Sequence, residues 1–309
     1  MFNVRDFGAV GDGITLNTLA IQKTIDACAG AGGGVVVVPA GVFVIGPIEL
    51  KSNVTLHISA GATLLGTADP RLYQPAAGIP LKGDWTMGDG NVALIYAANA
   101  ENVSVEGPGT IDGQGAQVIA NRRHGGRRAH LLLFYRCKNL SVRNVYLYHS
   151  SFHTCRIANC TFVRLDSIHI FSRTVGNNDG FHFISAQYVT LSNCNVQCGD
   201  DACAMFGSCQ FMTITNSTFS TRWSTFRFGG GIARNIAVSN CVCYQVYGCP
   251  IKLRCAPGSI YENMSFSDLV FQDVTGPISI GAGPEHLRRR RHENPTTSAL
   301  PGGIVRNIS

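Results

Sequence analysis

The segment Asn139-Leu-Ser-Val142 alternates apolar and polar residues, and variants of it recur along the chain. Strict alternation is typical of a β-strand with one buried face. The variants are Asn53–Leu56, Asn102–Val105, Asn139–Val142, Phe162–Leu165, Tyr188–Leu191, Phe211–Ile214, Asn235–Val238 and Asn263–Phe266. Their second positions, from Leu140 through Val163, Val189 and Met212 to Ile236, are separated by 23, 26, 23 and 24 residues.

This repeat predicts an all-β fold, a single-stranded right-handed parallel β-helix, or solenoid, with 1–309 as one domain. Each coil would pair with the next by parallel strands about 4.8 Å apart. The units contain no amphipathic helix and no leucine-rich framework, which argues against the other common solenoids. We expect the Asn residues that begin five of the units to stack at a turn, because Asn tolerates bent backbone.

The first fifty residues predict a cap for this solenoid. A helix from about Thr18 to Ala29 would bury one face, with Asn17 as its N-cap, and the glycine cluster 30–34 would end it. The buried face is Ile21, Thr24, Ile25 and Cys28. Strands are expected at 35–39 and 42–45. The glycine cluster follows a helix and precedes a strand, the reverse of a phosphate-binding loop, so nucleotide binding is not expected.

Three other segments carry structural expectations. Residues 303–309 resemble the opening of a further coil, which predicts a last coil that is truncated or unusually short. The interruptions at 66–97 and 113–130 are expected to be loops that could wall a groove along the solenoid. Loops of this length in a compact domain commonly carry function.

The composition is that of a globular chain, with 309 residues, 45% hydrophobic and 14% charged. No run of 18 apolar residues occurs, so no membrane partner is expected. The twelve Cys lack zinc-ligand spacing and alternate with apolar residues, which predicts small core side chains and leaves their disulfide state open. The compartment also stays open: secreted or periplasmic if a signal peptide has been removed, otherwise cytoplasmic.

The formal net charge of +6 is concentrated in two arginine clusters, at 122–128 and 288–291. Such clusters are either solvated loops or a surface that attracts a polyanion. No nucleic-acid-binding motif accompanies the charge, so nucleic acid is not the expected partner. An acidic polysaccharide or oligosaccharide fits the charge, and the oligomeric state is left open.

Three carboxylates stand out for their spacing. Asp179 and Asp201 are 22 residues apart, close to one repeat, so they should lie on adjacent coils, with Asp200 beside them. A bend at Gly199 could let Asp200 and Asp201 both face outward. The alternative is that all three are turn residues, as Asn178-Asp179-Gly180 is also turn chemistry. Like charges at close range raise at least one pKa, which provides the acid and base for glycosidic hydrolysis. Carboxyl separations of roughly 6.5–9.5 Å would indicate inversion.

Five further segments stand out as motifs: Asp6–Gly13, Gly109–Gly115, Ser150–His153, Asn177–Gly180 and Gly199–Asp201. They resemble motifs of glycoside hydrolase family 28, the polygalacturonases and related pectin-degrading enzymes of the pectin-lyase-like β-helix superfamily. The most specific are Asn177–Gly180 and Gly199–Asp201, which resemble the family's Asn-Thr-Asp and Asp-Asp motifs. The resemblance covers about residues 3–275 and implies a metal-independent hydrolase without a cofactor.

The resemblance also implies roles for individual residues. Asp200 would be the general acid, and Asp179 and Asp201 would hold and activate the water. The family's Gly-His-Gly motif has no counterpart in 221–231, and its Arg-Ile-Lys motif is Pro250-Ile-Lys252 here. The residues expected to bind substrate are Lys252, Arg254, Arg227, Trp223, His182 and Asn177. Phe226 is a second candidate for stacking on a sugar ring, and His153 is expected to form structural hydrogen bonds.

Two other classes of function fit the same residues. A polysaccharide lyase could use the three Asp residues as a Ca²⁺ site and Lys252 or Arg227 as its base. A β-helix that binds glycan without turnover, as in phage tailspikes, is the other alternative. Formation of an unsaturated product and sensitivity to chelator would identify a lyase.

Overall fold

A computed structural model describes residues 1–80, 90–282 and 303–309. Within these ranges the strands join one continuous parallel sheet that winds into a solenoid, so the predicted parallel β-helix is confirmed. The arginine cluster at 288–291 and part of the predicted 66–97 loop lie outside the described residues.

Most of the described strands have two to seven residues, and three longer ones lie in the carboxyl-terminal half. They are β1 (Phe2–Asn3), β2 (Asp12–Leu16), β3 (Gly34–Val38), β4 (Gly41–Ile45), β5 (Ile48–Glu49), β6 (Val54–Ile58), β7 (Ala62–Gly66), β8 (Ala93–Ala98), β9 (Glu101–Glu106), β10 (Thr110–Asp112), β11 (His130–Tyr135), β12 (Lys138–Arg143), β13 (Tyr146–Tyr148), β14 (Cys155–Ala158), β15 (Thr161–Asp166), β16 (His169–Ser172), β17 (Phe181–Ile184), β18 (Gln187–Ser192), β19 (Asn195–Cys198), β20 (Cys203–Thr215), β21 (Thr218–Thr221), β22 (Ser224–Val246), β23 (Cys249–Cys255), β24 (Ile260–Val274), β25 (Ile278–Ala282) and β26 (Ile304–Ile308).

The strands of this continuous sheet form three faces of the solenoid, which are called here the first, second and third sheets. The first sheet contains the predicted repeat motifs and runs from β1 and β3 through β12 and β15 to β26. The second includes β10, β13, β16 and β19. The third, which carries the site described below, runs from β5 and β8 through β14, β17 and the start of β20 to β23 and β25. The long strands β20 and β22 continue around a corner from the third sheet into the first.

An asparagine ladder marks the corner where the chain enters the first sheet. Its residues have positive φ, which Asn tolerates better than most residues. Asn102 donates a side-chain hydrogen bond to Asn53 at 2.8 Å, and Asn139 donates to Asn102 at 3.0 Å. Asn263 likewise donates to Asn235 at 3.2 Å. The predicted stacking of these residues is therefore confirmed.

Three coils replace the Asn of this ladder with an aromatic residue. Phe162, Tyr188 and Phe211 share the positive φ, and their rings stack with centroids 5.0 and 4.9 Å apart. All three are about half exposed. Ring stacking here takes the place of the amide hydrogen bonds that join the neighbouring coils.

The core is a set of inward-facing columns. Along the first sheet, Leu140, Val163, Val189 and Met212 lie directly above one another and are at most 2% exposed. All twelve Cys are buried free thiols, as expected for small core side chains. Because each coil places one apolar residue in each column, stacking of the coils buries a continuous core that stabilises the solenoid.

The predicted capping helix forms as α1 (Thr18–Gly30), with the expected buried face. Asn17 does not cap it with its side chain. Its amide instead accepts from Val10 N at 2.6 Å and donates to Val10 O at 2.9 Å and Thr15 O at 2.6 Å. Asn17 therefore occupies the predicted N-cap position and accepts from Ile21 N through its backbone carbonyl at 3.0 Å, while loop partners take its side chain.

The 113–130 segment is only partly a loop, since α2 (Gly115–Asn121) occupies its first half. The Asn121 side chain ties the end of α2 to Ala68 O at 2.8 Å, so the two interruptions pack against each other. Residues 303–309 include β26, which pairs with β24 as the opening of a coil. In the described part of the chain, no helix combines the length and apolarity that a bilayer crossing demands.

Candidate active site

Asp179 and Asp201 lie one above the other at the entrance to the third sheet. The backbone ladder sets this register: Gly180 N donates to Asp201 O at 3.0 Å, and Phe181 N donates to Ala202 O at 2.8 Å. Because Phe181 pairs with Cys203, the offset between these coils is the 22 residues that separate the two acids. The repeat spacing therefore brings them together, and Asp200 follows as the neighbour of Asp201.

Asp179 and Asp201 contact His182 and Arg227 on the outer face of the third sheet, but both acids are shielded from solvent. Asp179 is 5% exposed and Asp201 is 4% exposed, whereas Asp200 is only partly buried. Burying a carboxylate is costly unless donors or cations are close. Each buried acid has such partners, which explains why the fold can hold both.

Asp179 is paired with a histidine. Its Oδ2 lies 2.6 Å from Nδ1 of His182, which is itself only 6% exposed. The His153 ring stacks on His182 with centroids 4.1 Å apart, and its Nε2 is 3.9 Å from the same carboxylate oxygen. That distance is too long for a hydrogen bond, so His153 contributes packing to this pair and not the structural hydrogen bond expected from sequence.

Asp201 and Asp200 have different partners. Asp201 accepts a hydrogen bond from Ser224 N at 3.2 Å, and its Oδ2 is 3.5 Å from Nε of Arg227. Asp200 accepts from the backbone N–H of Asp201 at 3.0 Å and from the amide of Asn177 at 3.4 Å. The two adjacent carboxyl groups therefore differ in environment, since Asp201 lies near a cation and Asp200 accepts hydrogen bonds from neutral donors.

Burial shifts the proton equilibria of the whole cluster. It raises the pKa of Asp179 and Asp201 well above the usual range, and mutual repulsion among the acids adds to the effect while Arg227 opposes it. Partial burial raises the pKa of Asp200 as well. Burial lowers the pKa of His182 well below its usual value, helped by nearby arginines, so the ring is neutral at neutral pH. The site therefore cannot hold all its carboxyl groups ionised at once.

These shifts predict that Asp179→Asn stabilises the protein at neutral pH. A group whose pKa is raised by folding destabilises the fold above its unfolded pKa, and the penalty disappears as the pH falls toward that value. We expect the variant to melt a few degrees above the wild type at pH 7.5, a difference that shrinks toward pH 4. Thermal unfolding at both pH values measures this.

Asp166→Asn is the matched control, because hydrogen bonds from Ser192 and Asn193 lower the pKa of Asp166. Its carboxylate contributes stability above the unfolded pKa that is lost as the pH falls, so this variant should melt lower at pH 7.5. An Asp179→Asn protein that melts below the wild type at pH 7.5 contradicts the prediction.

A row of side chains, four of the five polar, crosses the third sheet beside the acids. The strand register places Arg156, His182, Ala204, Arg227 and Lys252 at the same position on successive coils. The Arg227–Lys252 pair thus forms a positive surface next to Asp201. Arg254 lies two residues along β23 from Lys252 and faces the same side, as expected for a regular strand.

The two aromatic residues predicted to bind sugar lie in different environments. Trp223 is 45% exposed, and Nζ of Lys252 lies 4.4 Å from its ring centroid. Phe226 is fully buried in the core, so its proposed stacking on a sugar is wrong. The alternation of the strand directs Phe226 inward, while Trp223 precedes β22 in the turn.

Two cationic residues of the site, Arg156 and Arg128, were not among the predicted substrate-binding residues. Arg156 is 1% exposed, and burial lowers its pKa to about 10, which leaves it charged at neutral pH. Arg128 donates from Nε to Ser151 O at 2.7 Å and from Nη1 to Asn177 Oδ1 at 3.3 Å. The repeat offset could have indicated Arg156, which pairs with His182, but Arg128 reaches the site from a non-repeating segment.

The group His153, Asp179 and His182 brings three possible metal ligands within 4.8 Å of one another. The two imidazole rings are stacked with an interplanar angle of 17°. A metal bound by both rings must lie in both ring planes, which stacked rings cannot satisfy without rotating. The arrangement therefore fits a hydrogen-bonded pair better than a metal centre.

Comparison with known proteins places the chain in a family. The model of glycosyl hydrolases family 28 matches residues 28–287. A probable polygalacturonase of Arabidopsis thaliana is 31% identical over 206 residues, which cover 66% of this chain and 42% of the relative. A probable polygalacturonase of Vitis vinifera is 26% identical over 291 residues, covering 90% and 56%. The chain spans about half the length of these curated relatives.

Among solved structures, the exopolygalacturonase of Thermotoga maritima matches with a TM-score of 0.76. The match covers 99% of this chain and 78% of the other at 23% sequence identity. At that identity the likeness supports the fold and says nothing of the reaction.

Proposed function

The chain belongs to glycoside hydrolase family 28, and on that premise we propose that it hydrolyses the glycosidic bonds of polygalacturonate or a related acidic pectic glycan, with inversion. The observation that carries the proposal is that three neighbouring carboxyl groups have three different sets of partners. His182 contacts Asp179, Arg227 contacts Asp201, and neutral donors contact Asp200.

Asp200 is assigned as the general acid that protonates the leaving glycosidic oxygen. It is the most exposed of the three, and its donors are a backbone N–H and the amide of Asn177. Partial burial raises the pKa of Asp200, and carboxyl groups at close range do not all ionise, so Asp200 can hold the proton that it donates. An acid with a raised pKa is what departure of the sugar oxygen requires.

Asp179 and Asp201 are assigned to the water. They lie on adjacent coils, and the guanidinium of Arg227 opposes the rise in pKa that burial causes in both acids, which assists the ionised form that accepts a proton. The water attacks the anomeric carbon from the face opposite the leaving oxygen and gives up its proton to one of these carboxylates. The carbon–oxygen bond to the leaving sugar breaks as the new one forms, which inverts the configuration.

The row of cations is assigned to the substrate's carboxylates. Lys252 and Arg227 lie side by side on adjacent strands, and both are close to the acids. A guanidinium can bind a carboxylate through two hydrogen bonds, and an ammonium binds it as a point charge. The exposed face of Trp223, beside Lys252, offers a surface for a sugar ring, and Arg254 extends the positive row.

Lys252→Met tests this assignment. Loss of one charge-assisted contact to the substrate should raise KM for polygalacturonate about tenfold and change kcat by less than about threefold. Steady-state kinetics on polygalacturonate, and on the same polymer with its carboxyls methyl-esterified, measure the effect. Lys138→Met is the control, since Lys138 is exposed on the first sheet. An unchanged KM would remove Lys252 from the binding site.

The reaction itself is tested by incubating the protein with a panel of pectic polymers and oligosaccharides. Hydrolysis gives saturated products, and NMR of the first-formed reducing ends reveals whether their configuration is inverted. Absorbance of an unsaturated product that disappears with chelator would show a lyase instead. Binding without any turnover on the panel would show a glycan-binding β-helix and end the hydrolase proposal.

A further inference from the structure

His182 was expected to bind substrate, but its position suggests another task. Its side chain is 8% exposed, and its Nδ1 lies 2.6 Å from Oδ2 of Asp179. The residue is three positions beyond Asp179, where the chain has just entered β17, so the ring folds back onto the acid. The geometry directs the imidazole at the carboxylate and not into open solvent.

The ring is held on both faces. His153 stacks on one side with centroids 4.1 Å apart and an angle of 17°, and Phe206 stacks at 5.2 Å with an angle of 10°. These neighbours come from the adjacent coils, one before and one after β17. A ring clamped in this way has little freedom to turn, so the position of its Nδ1 is fixed by packing.

We propose that His182 is a positioning residue for the hydrolytic reaction, whose neutral imidazole donates from Nδ1 to Oδ2 of Asp179 and fixes the orientation of that carboxylate toward the attacking water. The inference rests on the proposed function. The bond leaves Oδ1 of Asp179 to face the water and favours the ionised carboxylate over the acid. Displacement of a reacting group by about 1 Å can cost about 100-fold in rate.

Two substitutions separate the hydrogen bond from the packing. His182→Phe retains a ring between His153 and Phe206 but has no donor. His182→Asn removes the ring but places an amide N–H two bonds beyond Cβ, as Nδ1 is in histidine. If His182 positions Asp179, the Phe variant should lose about 100-fold in kcat with KM within about threefold. The Asn variant should stay within about tenfold of the wild type.

The proposal would be overturned if the Phe variant retained a higher kcat than the Asn variant. A purely structural ring predicts that Phe keeps kcat within about threefold and that Asn loses activity and stability. His182→Gln places its amide one bond further along and should not rescue. His169→Phe is the matched control, because His169 also stacks on an aromatic ring, Tyr146, but lies on the second sheet.

The pH profile is a second readout. Loss of the donor raises the pKa of Asp179, so the acidic limb of kcat for His182→Phe should move to higher pH. Asp179 is faced by charged or titratable groups from several coils, and these remain in the variant. They are His153, Arg156, Asp200, Asp201, Arg227 and Arg128. An acidic limb that does not move contradicts the proposal.

A measurement without turnover distinguishes failure of this inference from failure of the proposed function. In protein labelled with ¹⁵N-histidine, the His182 ring should carry its proton on Nδ1, and that signal should shift in Asp179→Asn. If the wild type hydrolyses no pectic substrate, the proposed function fails, and the Nδ1 signal alone decides whether the bond exists. A proton on Nε2 only would refute the inference even in an active enzyme.

Discussion

Asp200→Asn is expected to lower kcat on polygalacturonate about 1,000-fold while leaving substrate affinity unchanged. The amide keeps the shape of the side chain and can still bond to Asn177, but it has no proton to give to the leaving oxygen. General acid–base catalysis contributes on the order of 10²–10⁴-fold, which sets the scale. Steady-state kinetics and binding to the inactive variant measure both quantities.

A change of leaving group tests the role and not merely the importance of Asp200. An oligogalacturonide with a nitrophenyl leaving group needs little protonation, so Asp200→Asn should cleave it at a rate much closer to that of the wild type. Asp268→Asn is the control because Asp268 is exposed on β24. An equal loss on both substrates would reassign the general acid.

Asp201→Asn is expected to produce a loss of similar size, about 1,000-fold in kcat, for a different reason. The variant cannot take the proton from the attacking water, and it removes the carboxylate charge 3.5 Å from Nε of Arg227. Azide is already a nucleophile and needs no base. Added azide should therefore restore turnover and give a glycosyl azide of inverted configuration, which NMR identifies.

Azide also tests the division of roles. It should not rescue Asp200→Asn, whose defect lies in the leaving group. If Asp201→Asn loses less than about tenfold while Asp179→Asn loses about 1,000-fold, the proton passes to Asp179, and Asp201 serves to hold the water. Rescue of the Asp200 variant by azide would contradict both assignments.

Much of the fold could be predicted because the spacing of the sequence repeat reflects the register in which the strands of a solenoid pair. The steps between Leu140, Val163 and Val189 are the offsets by which the strands pair. The capping helix could be predicted as well, since its four buried residues follow a helical period. The segment 113–130 was misjudged in part, because α2 forms outside the repeat and no period marks it.

The positions of site residues could be predicted only where those residues follow the register of the repeat. Spacing alone placed Asp179 over Asp201, but it could not say that both would be buried, since that depends on His182 and Arg227 reaching them. Phe226 was misassigned because side chains alternate along a strand, so an error of one residue in the alternation exchanges the outer face for the core. Arg128 enters from a non-repeating connection, so its contact with Asn177 had no periodic signal.

The twelve buried thiols have a practical consequence. They are distributed from the capping helix, at Cys28, to β23, at Cys255, and each is shielded by the coils around it. A thiol-reactive dye can label one only when that part of the stack opens. Mass spectrometry of peptides from pulse-labelled protein would therefore report opening rates along the length of the molecule, with its own cysteines as reporters and no engineered probe.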